Sequence, residues 1–90
     1  MSKEITKIKS EANTELRNQL KKLAEKWPSA FVAREKVAEF SGGILHPRRM
    51  ANLDSLGLGP EGSLRVGRKR CYLIDPPLID WMLERAQIIE

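Results

Sequence analysis

Two groups of side chains in this 90-residue chain carry recognisable binding chemistry. The first lies on the segment Pro47 to Leu56, which reads PRRMANLDSL. At helical spacing Arg48, Ala51, Asn52 and Ser55 fall in an arc of about 100°, and Met50, Leu53 and Leu56 lie on the other side. One face would pack inward. The other offers the types that read base edges: Arg makes paired bonds to guanine, Asn to adenine, and Ala can touch a thymine methyl. Arg49 sits at the border of that face, where a phosphate is the expected contact. The second group is Gly67-Arg68-Lys69-Arg70, three cations in a minimal turn. Their mutual repulsion is unfavourable in the free chain and is relieved when phosphates or a minor groove lie alongside. Each group also has a plainer reading. Any surface helix turns polar residues outward, and a cationic turn discourages edge-to-edge pairing of strands.

Catalytic and metal chemistry find less support. His46 is the single histidine and Cys71 the single cysteine, and one of each does not make a zinc site. His46 precedes Pro47 and fits a turn or a phosphate contact. Basic neighbours could activate the Cys71 thiol, but its place in a strand reads as a buried structural cysteine. Asp54, Asp75 and Asp80 fit surface and capping duties, with no paired carboxylates for acid–base work. Gly57, Gly59 and Gly62 form a loop without the lysine-serine context of a phosphate cradle. The expectation is a protein that is not an enzyme and needs no cofactor or metal.

Charge points the same way as the first two groups. The net charge is +4. From Trp27 to Asp75 there are eight basic and five acidic residues, whereas the last fifteen positions hold one basic and three acidic. Basic residues cluster at Arg48-Arg49 and Arg68-Lys69-Arg70. Such a patch attracts a polyanion because neutralising phosphates releases condensed counterions. Solubility alone would also account for it. No run approaches the roughly 18 apolar residues of a membrane span. Met1–Ser10 is charged along its length and lacks an apolar signal core. With one unpaired cysteine, a cytoplasmic protein is expected.

The elements that must position these groups follow from periodicity. Ile5, Ile8, Ala12, Leu16, Leu20, Leu23 and Trp27 recur at spacings of three or four, so Lys3 to Lys26 reads as one amphipathic helix stopped by Pro28. At roughly 34 Å it outruns the remaining domain, and the overhang is expected to fray or to pair with a second copy. Ser29 to Phe40 reads as a short helix, closed by Ser41-Gly42-Gly43, with Ile44 and Leu45 anchoring the turn. A second helix starts at Pro47 and runs to about Leu56. Ser63 to Val66 and Cys71 to Ile74 read as the strands of a hairpin whose tip is Gly67–Arg70. A last helix covers Pro77 or Leu78 to about Ile88, with Asp75 near its cap and Trp27 and Trp81 as core anchors.

Two helices joined by a glycine-containing turn, then a basic hairpin, make a helix-turn-helix with a wing. The expected fold is mainly α with a small β-hairpin: an N-terminal helix over residues 1–28 and a winged-helix domain over 29–90. The run from Phe31 to Leu83 resembles phage and prophage excisionases and related small winged-helix regulators of the mercury-resistance-regulator type. The matching stretches are AREKVAEFSGG, HPRRMANLDSLG and RVGRKRCYLIDPPLIDWMLE. The turn SGGILHPRR is longer than the usual one, and the N-terminal helix lies outside the minimal family domain.

The resemblance implies a DNA-bending recombination-directionality factor, with an integrase as partner, or a small transcriptional regulator of a mobile element. Pro47 to Leu56 would be the recognition helix and Gly67 to Arg70 the wing. The DNA-binding residues are then Arg48, Arg49, Asn52, Ser55, Arg68, Lys69 and Arg70. Homodimerisation would use Ile5, Ile8, Ala12, Leu16, Leu20 and Leu23. A protein-interaction module without DNA binding remains the alternative from another class.

Overall fold

The N-terminal stripe closes into a single helix, α1 (Ser2–Lys26), which ends just before Pro28. The computed structural model describes the backbone over residues 2–86 and side chains over residues 14–86. After α1 come strand β1 (Phe31–Ala33), a 3-10 turn at Arg34–Lys36, helix α2 (Val37–Ser41) and helix α3 (Pro47–Ser55). Strands β2 (Ser63–Val66) and β3 (Lys69–Leu73) follow, then helix α4 (Ile79–Arg85). Among the described residues this is an α+β domain of four α-helices and one three-stranded antiparallel sheet, ordered β1-β3-β2. No described helix is long and apolar enough to cross a membrane.

The second half of α1 is part of the domain. Leu20, Leu23, Ala24 and Trp27 pack on a core of Val32, Val37, Phe40, Leu45, Met50, Tyr72, Ile74, Leu78, Ile79, Trp81 and Met82. Trp27 meets Phe40 edge-on, ring centroids 5.6 Å apart, and its Nε1 donates to the Phe31 carbonyl at 3.1 Å. Arg17 on α1 pairs with Asp80 on α4. Leu20 and Leu23, expected in the self-association stripe, are therefore partly buried against the chain's own core. Leu16 is half-buried. Ile5, Ile8 and Ala12 lie outside the described side chains.

The segment Ser29 to Phe40 corrects the expectation of one helix. Phe31, Val32 and Ala33 pair with Leu73, Tyr72 and Cys71 of β3. Hydrogen bonding to a strand forty residues away outweighs a local preference that was never strong, since β-branched Val32 fits a strand at least as well as a helix. Val32 drops into the core, fully buried. The helix shrinks to α2. Its end is organised by Ser41, a buried hydroxyl that donates to the Val37 carbonyl at 2.7 Å and accepts from the Leu45 N–H at 2.8 Å. Leu45 anchors the turn as expected. Ile44 does not: it is 70% exposed, since the Ser41–Leu45 bond closes the turn with its side chain outside.

The hairpin is tighter than the sequence reading drew it. Val66 faces Lys69, so the connecting loop is only Gly67 and Arg68, and Lys69 and Arg70 belong to β3. Gly67 has φ 63°, the handedness a two-residue hairpin loop demands at its first position and glycine supplies without a steric penalty. Asp75 does not cap the last helix: it is extended (φ −119°, ψ 118°), and a wide turn over Ile74–Leu78 leads into α4. The helix stops at Arg85 because Ala86 is extended. It ends short of the expected Ile88, and residues 87–90 lie outside the described residues.

Tyr72 ties this sheet to α3. Its hydroxyl accepts from Arg34 Nε at 2.9 Å and donates to Asp54 Oδ2 on α3. Burial, and then the bond to the Asp54 carboxylate, push the phenol up to about 12 from its ordinary 10.0. A raised folded value means the stabilisation is complete below the unfolded value and lost as pH climbs through the folded one. Tyr72 is the single tyrosine, so tyrosinate absorbance reports it alone. An alkaline titration should place the folded chain's midpoint near 12 and the urea-unfolded chain's near 10, with stability falling between them. Tyr72→Phe should remove that component of the fall. Coincident folded and unfolded midpoints would contradict the buried, bonded phenol.

Candidate nucleic-acid interface

α3 starts at Pro47, whose missing N–H is no loss in a first turn. His46 caps it, Nδ1 accepting from the Arg48 N–H at 3.2 Å. Its inward side is set by Met50, fully buried, and by Leu53 and Asp54, half-buried as residues. Leu56, expected to face inward, is 69% exposed. It sits at the C-cap, where the chain has begun to turn away from the core. Arg48, Asn52 and Ser55 are all exposed, and Ala51 is half-buried between them and the core. The Ser55 hydroxyl donates to the Asn52 carbonyl at 2.8 Å, so towards a ligand it is an acceptor.

Asp54 belongs to the interior, not to the surface as its composition class implied. Its side chain is 7% exposed and pairs with Arg34. Oδ2 accepts from both the Arg34 guanidinium and the Tyr72 hydroxyl. The guanidinium's own proton affinity is raised, first by its bond to Tyr72 and then by Asp54, against the opposing effect of burial. This three-residue knot fixes the rotation of α3 about its axis relative to β3. Gly59, just beyond α3, completes it: an added Cβ there would lie 1.8 Å from Asp54 Oδ1.

The start of α3 and the hairpin tip share a groove of about 410 Å³, lined by Ala33, Arg34, Glu35, Pro47, Arg68, Lys69 and Arg70. The expected tip cations are therefore brought beside the helix that carries Arg48, Asn52 and Ser55. Within the groove Lys69 donates to Glu35 at 2.7 Å. The Lys69 ammonium, by that bond and by its charge, holds the Glu35 carboxyl below the usual carboxylate range.

Arg49 takes another direction. It lines a second groove on the far flank of α3 with Leu20, Ile44, Leu45, Leu53 and Trp81. Cys71 is half-buried and unpaired, less enclosed than its expected structural role required. Among the described residues no group of three or more His, Cys, Asp or Glu side chains could hold a metal.

Arg65 was missed by the sequence reading and belongs with this set. It faces Arg70 directly across the β2–β3 ladder, where like charges destabilise. Counting back from a two-residue loop gives the pairing of 65 with 70, but the loop length itself had to be known. Arg70 Nε is buried without a hydrogen-bond partner. The arginines divide cleanly. Arg17, Arg34 and Arg85 each lie beside a carboxylate. The remaining arginines, Arg48, Arg49, Arg65, Arg68 and Arg70, have no carboxylate partner among the described residues, and all of them lie on α3 or the β2–β3 hairpin.

Comparison with protein-family models, curated proteins and solved structures finds no match for this chain.

The knot at Asp54 makes a direct prediction. Gly59→Ala should force Asp54 away from Arg34 and Tyr72 and lower stability in urea by about 2–3 kcal/mol, the range for orphaning buried bonded polar groups. Stability within about 0.5 kcal/mol of the parent would mean that the Asp54 carboxylate is free to move aside.

Proposed function

We propose that this chain binds double-stranded DNA as a winged helix-turn-helix, with α3 in the major groove and the β2–β3 hairpin as the wing beside it. The observation that carries the reading is the segregation of unpaired arginines. Arg48, Arg65, Arg68 and Arg70 lie on the helix and hairpin that border one groove, and Arg49 lies on the flank of the same helix. Concentrating free guanidiniums on adjacent elements raises the energy of the unliganded protein, and a line of phosphates relieves it. Solubility accounts for basic residues on the surface, but it does not require them to be left unpaired on adjacent elements. Arg48 and Asn52, one helical turn apart on the exposed side of α3, are the side chains suited to base edges. Arg65, Arg68 and Arg70 suit the backbone.

Within this reading the resemblance to excisionases supports an architectural or recombination-directionality role with an integrase as protein partner. A small transcriptional regulator is the alternative. The packing of half-buried Leu20 and Leu23 on the core leaves less of α1 for a helix-paired dimer and so favours copies acting side by side on the duplex.

A gel-shift series against salt tests the proposal. The affinity should fall steeply with salt, and Arg68→Ala combined with Arg70→Ala should weaken every duplex and make the log–log slope shallower by about two. Arg48→Ala or Asn52→Ala should each cost about 1–3 kcal/mol on the preferred site and less on random DNA. Flat salt dependence, or no binding to any duplex, would select a protein-interaction module instead.

A further inference from the structure

Among the described residues Glu35 is the one carboxylate lining the groove between α3 and the hairpin; the other charged lining residues, Arg34, Arg68, Lys69 and Arg70, are cations. Its position is not loose. It sits in the 3-10 turn directly after Arg34, and Arg34 is held by Asp54 and Tyr72. From that anchored turn it takes the Lys69 ammonium at 2.7 Å, with both side chains more than half exposed. An exposed pair of this kind contributes little to stability. Its effect on an approaching polyanion is larger, because a carboxylate in a cationic groove lies within one Debye length, roughly 8–10 Å, of any phosphate bound there.

We infer that Glu35 stands in for a backbone phosphate at Lys69, so that in the free protein this subsite is already filled and nucleic acid must displace Glu35 or bind beside it. The inference rests on the DNA-binding reading above. Of the four hairpin cations, Arg65, Arg68 and Arg70 then meet the duplex unencumbered, and Lys69 is held back. The carboxylate lowers affinity for phosphate chains of any sequence. It leaves the base-reading contacts of α3 untouched, so it limits residence on generic DNA.

The test is a fluorescence-anisotropy titration of a random-sequence duplex over a salt series. The variants are the parent, Glu35→Gln, Lys69→Met and the double variant, with thermal melts to confirm that each folds. Glu35→Gln should bind about fivefold more tightly and steepen the salt slope by about one, as a freed lysine reaches a phosphate. Lys69→Met should change the parent's affinity by less than about twofold, yet lower that of Glu35→Gln several-fold; the non-additivity is the signature of a shared subsite. Equal effects of Lys69→Met in both backgrounds, or a Glu35→Gln that binds no better than the parent, would overturn it.

Inorganic polyphosphate, titrated in parallel, separates the two claims. If no duplex binds but Glu35→Gln still gains affinity for polyphosphate, the phosphate subsite stands and the DNA reading falls. If neither probe responds to Glu35→Gln, the subsite falls on its own.

Discussion

The arrangement depends on one buried carboxylate. Asp54 joins three parts of the chain that are distant in sequence: the turn after β1 through Arg34, the end of β3 through Tyr72, and α3, on which it sits. A carboxylate taken out of water is costly unless its lone pairs are used. Here one oxygen receives both a guanidinium and a phenol, and the other is packed against Gly59. Apolar contacts of Met50 and Leu53 would hold α3 on the core in several rotations, since hydrophobic packing is poorly directional. The charged hydrogen bonds select one, and that choice decides which residues of α3 face outward.

The consequence is electrostatic. With Asp54 turned inward, α3 shows no acidic residue outward, and Arg48 and Arg49 stay unpaired. The hairpin carries Arg65, Arg68 and Arg70, also unpaired, with Arg65 and Arg70 abreast on one face. Elsewhere the arginines find carboxylates: Arg17 with Asp80, Arg34 with Asp54 and Arg85 with Glu84. Arg85 also lies over the Trp81 ring, 4.1 Å from its centroid. Arginines paired with carboxylates and arginines without them are thus kept on separate elements, and among the described residues Glu35 is the one carboxylate lining the groove between α3 and the hairpin.

Much of this was legible in the sequence wherever periodicity was long or a turn was marked by glycine or proline. Helix α1, the start of α3 at Pro47 and the strand Ser63–Val66 needed no tertiary information. Met50 and the outward set Arg48, Asn52 and Ser55 followed from the helical wheel. The losses have physical causes. β1 exists only because β3 is there to pair with it, so Phe31–Ala33 read as part of a helix. Asp54 looked like any surface aspartate because its partners are twenty and eighteen residues away. The hairpin tip was drawn two residues too wide, since three successive cations resemble a loop. That error hid the Arg65–Arg70 pair and put Lys69, the partner of Glu35, in the wrong element. Leu56 and Ile44 failed for a simpler reason: apolar residues at the ends of short elements are often left outside when the chain turns.

α3 is also secured at its far end. Trp81 Nε1 and the Arg85 guanidinium both bond the Leu58 carbonyl, at 2.9 and 3.0 Å, so α4 grips the segment on which α3 exits. With Asp54 fastened on the inner side, α3 is tied to the rest of the fold by directed hydrogen bonds both along its inner face and at its exit. A stiff contact surface does not mould itself to its ligand. In the DNA-binding proposal, a duplex lying against such a surface would have to take up any mismatch in curvature itself, at an elastic cost that varies with the base steps being strained.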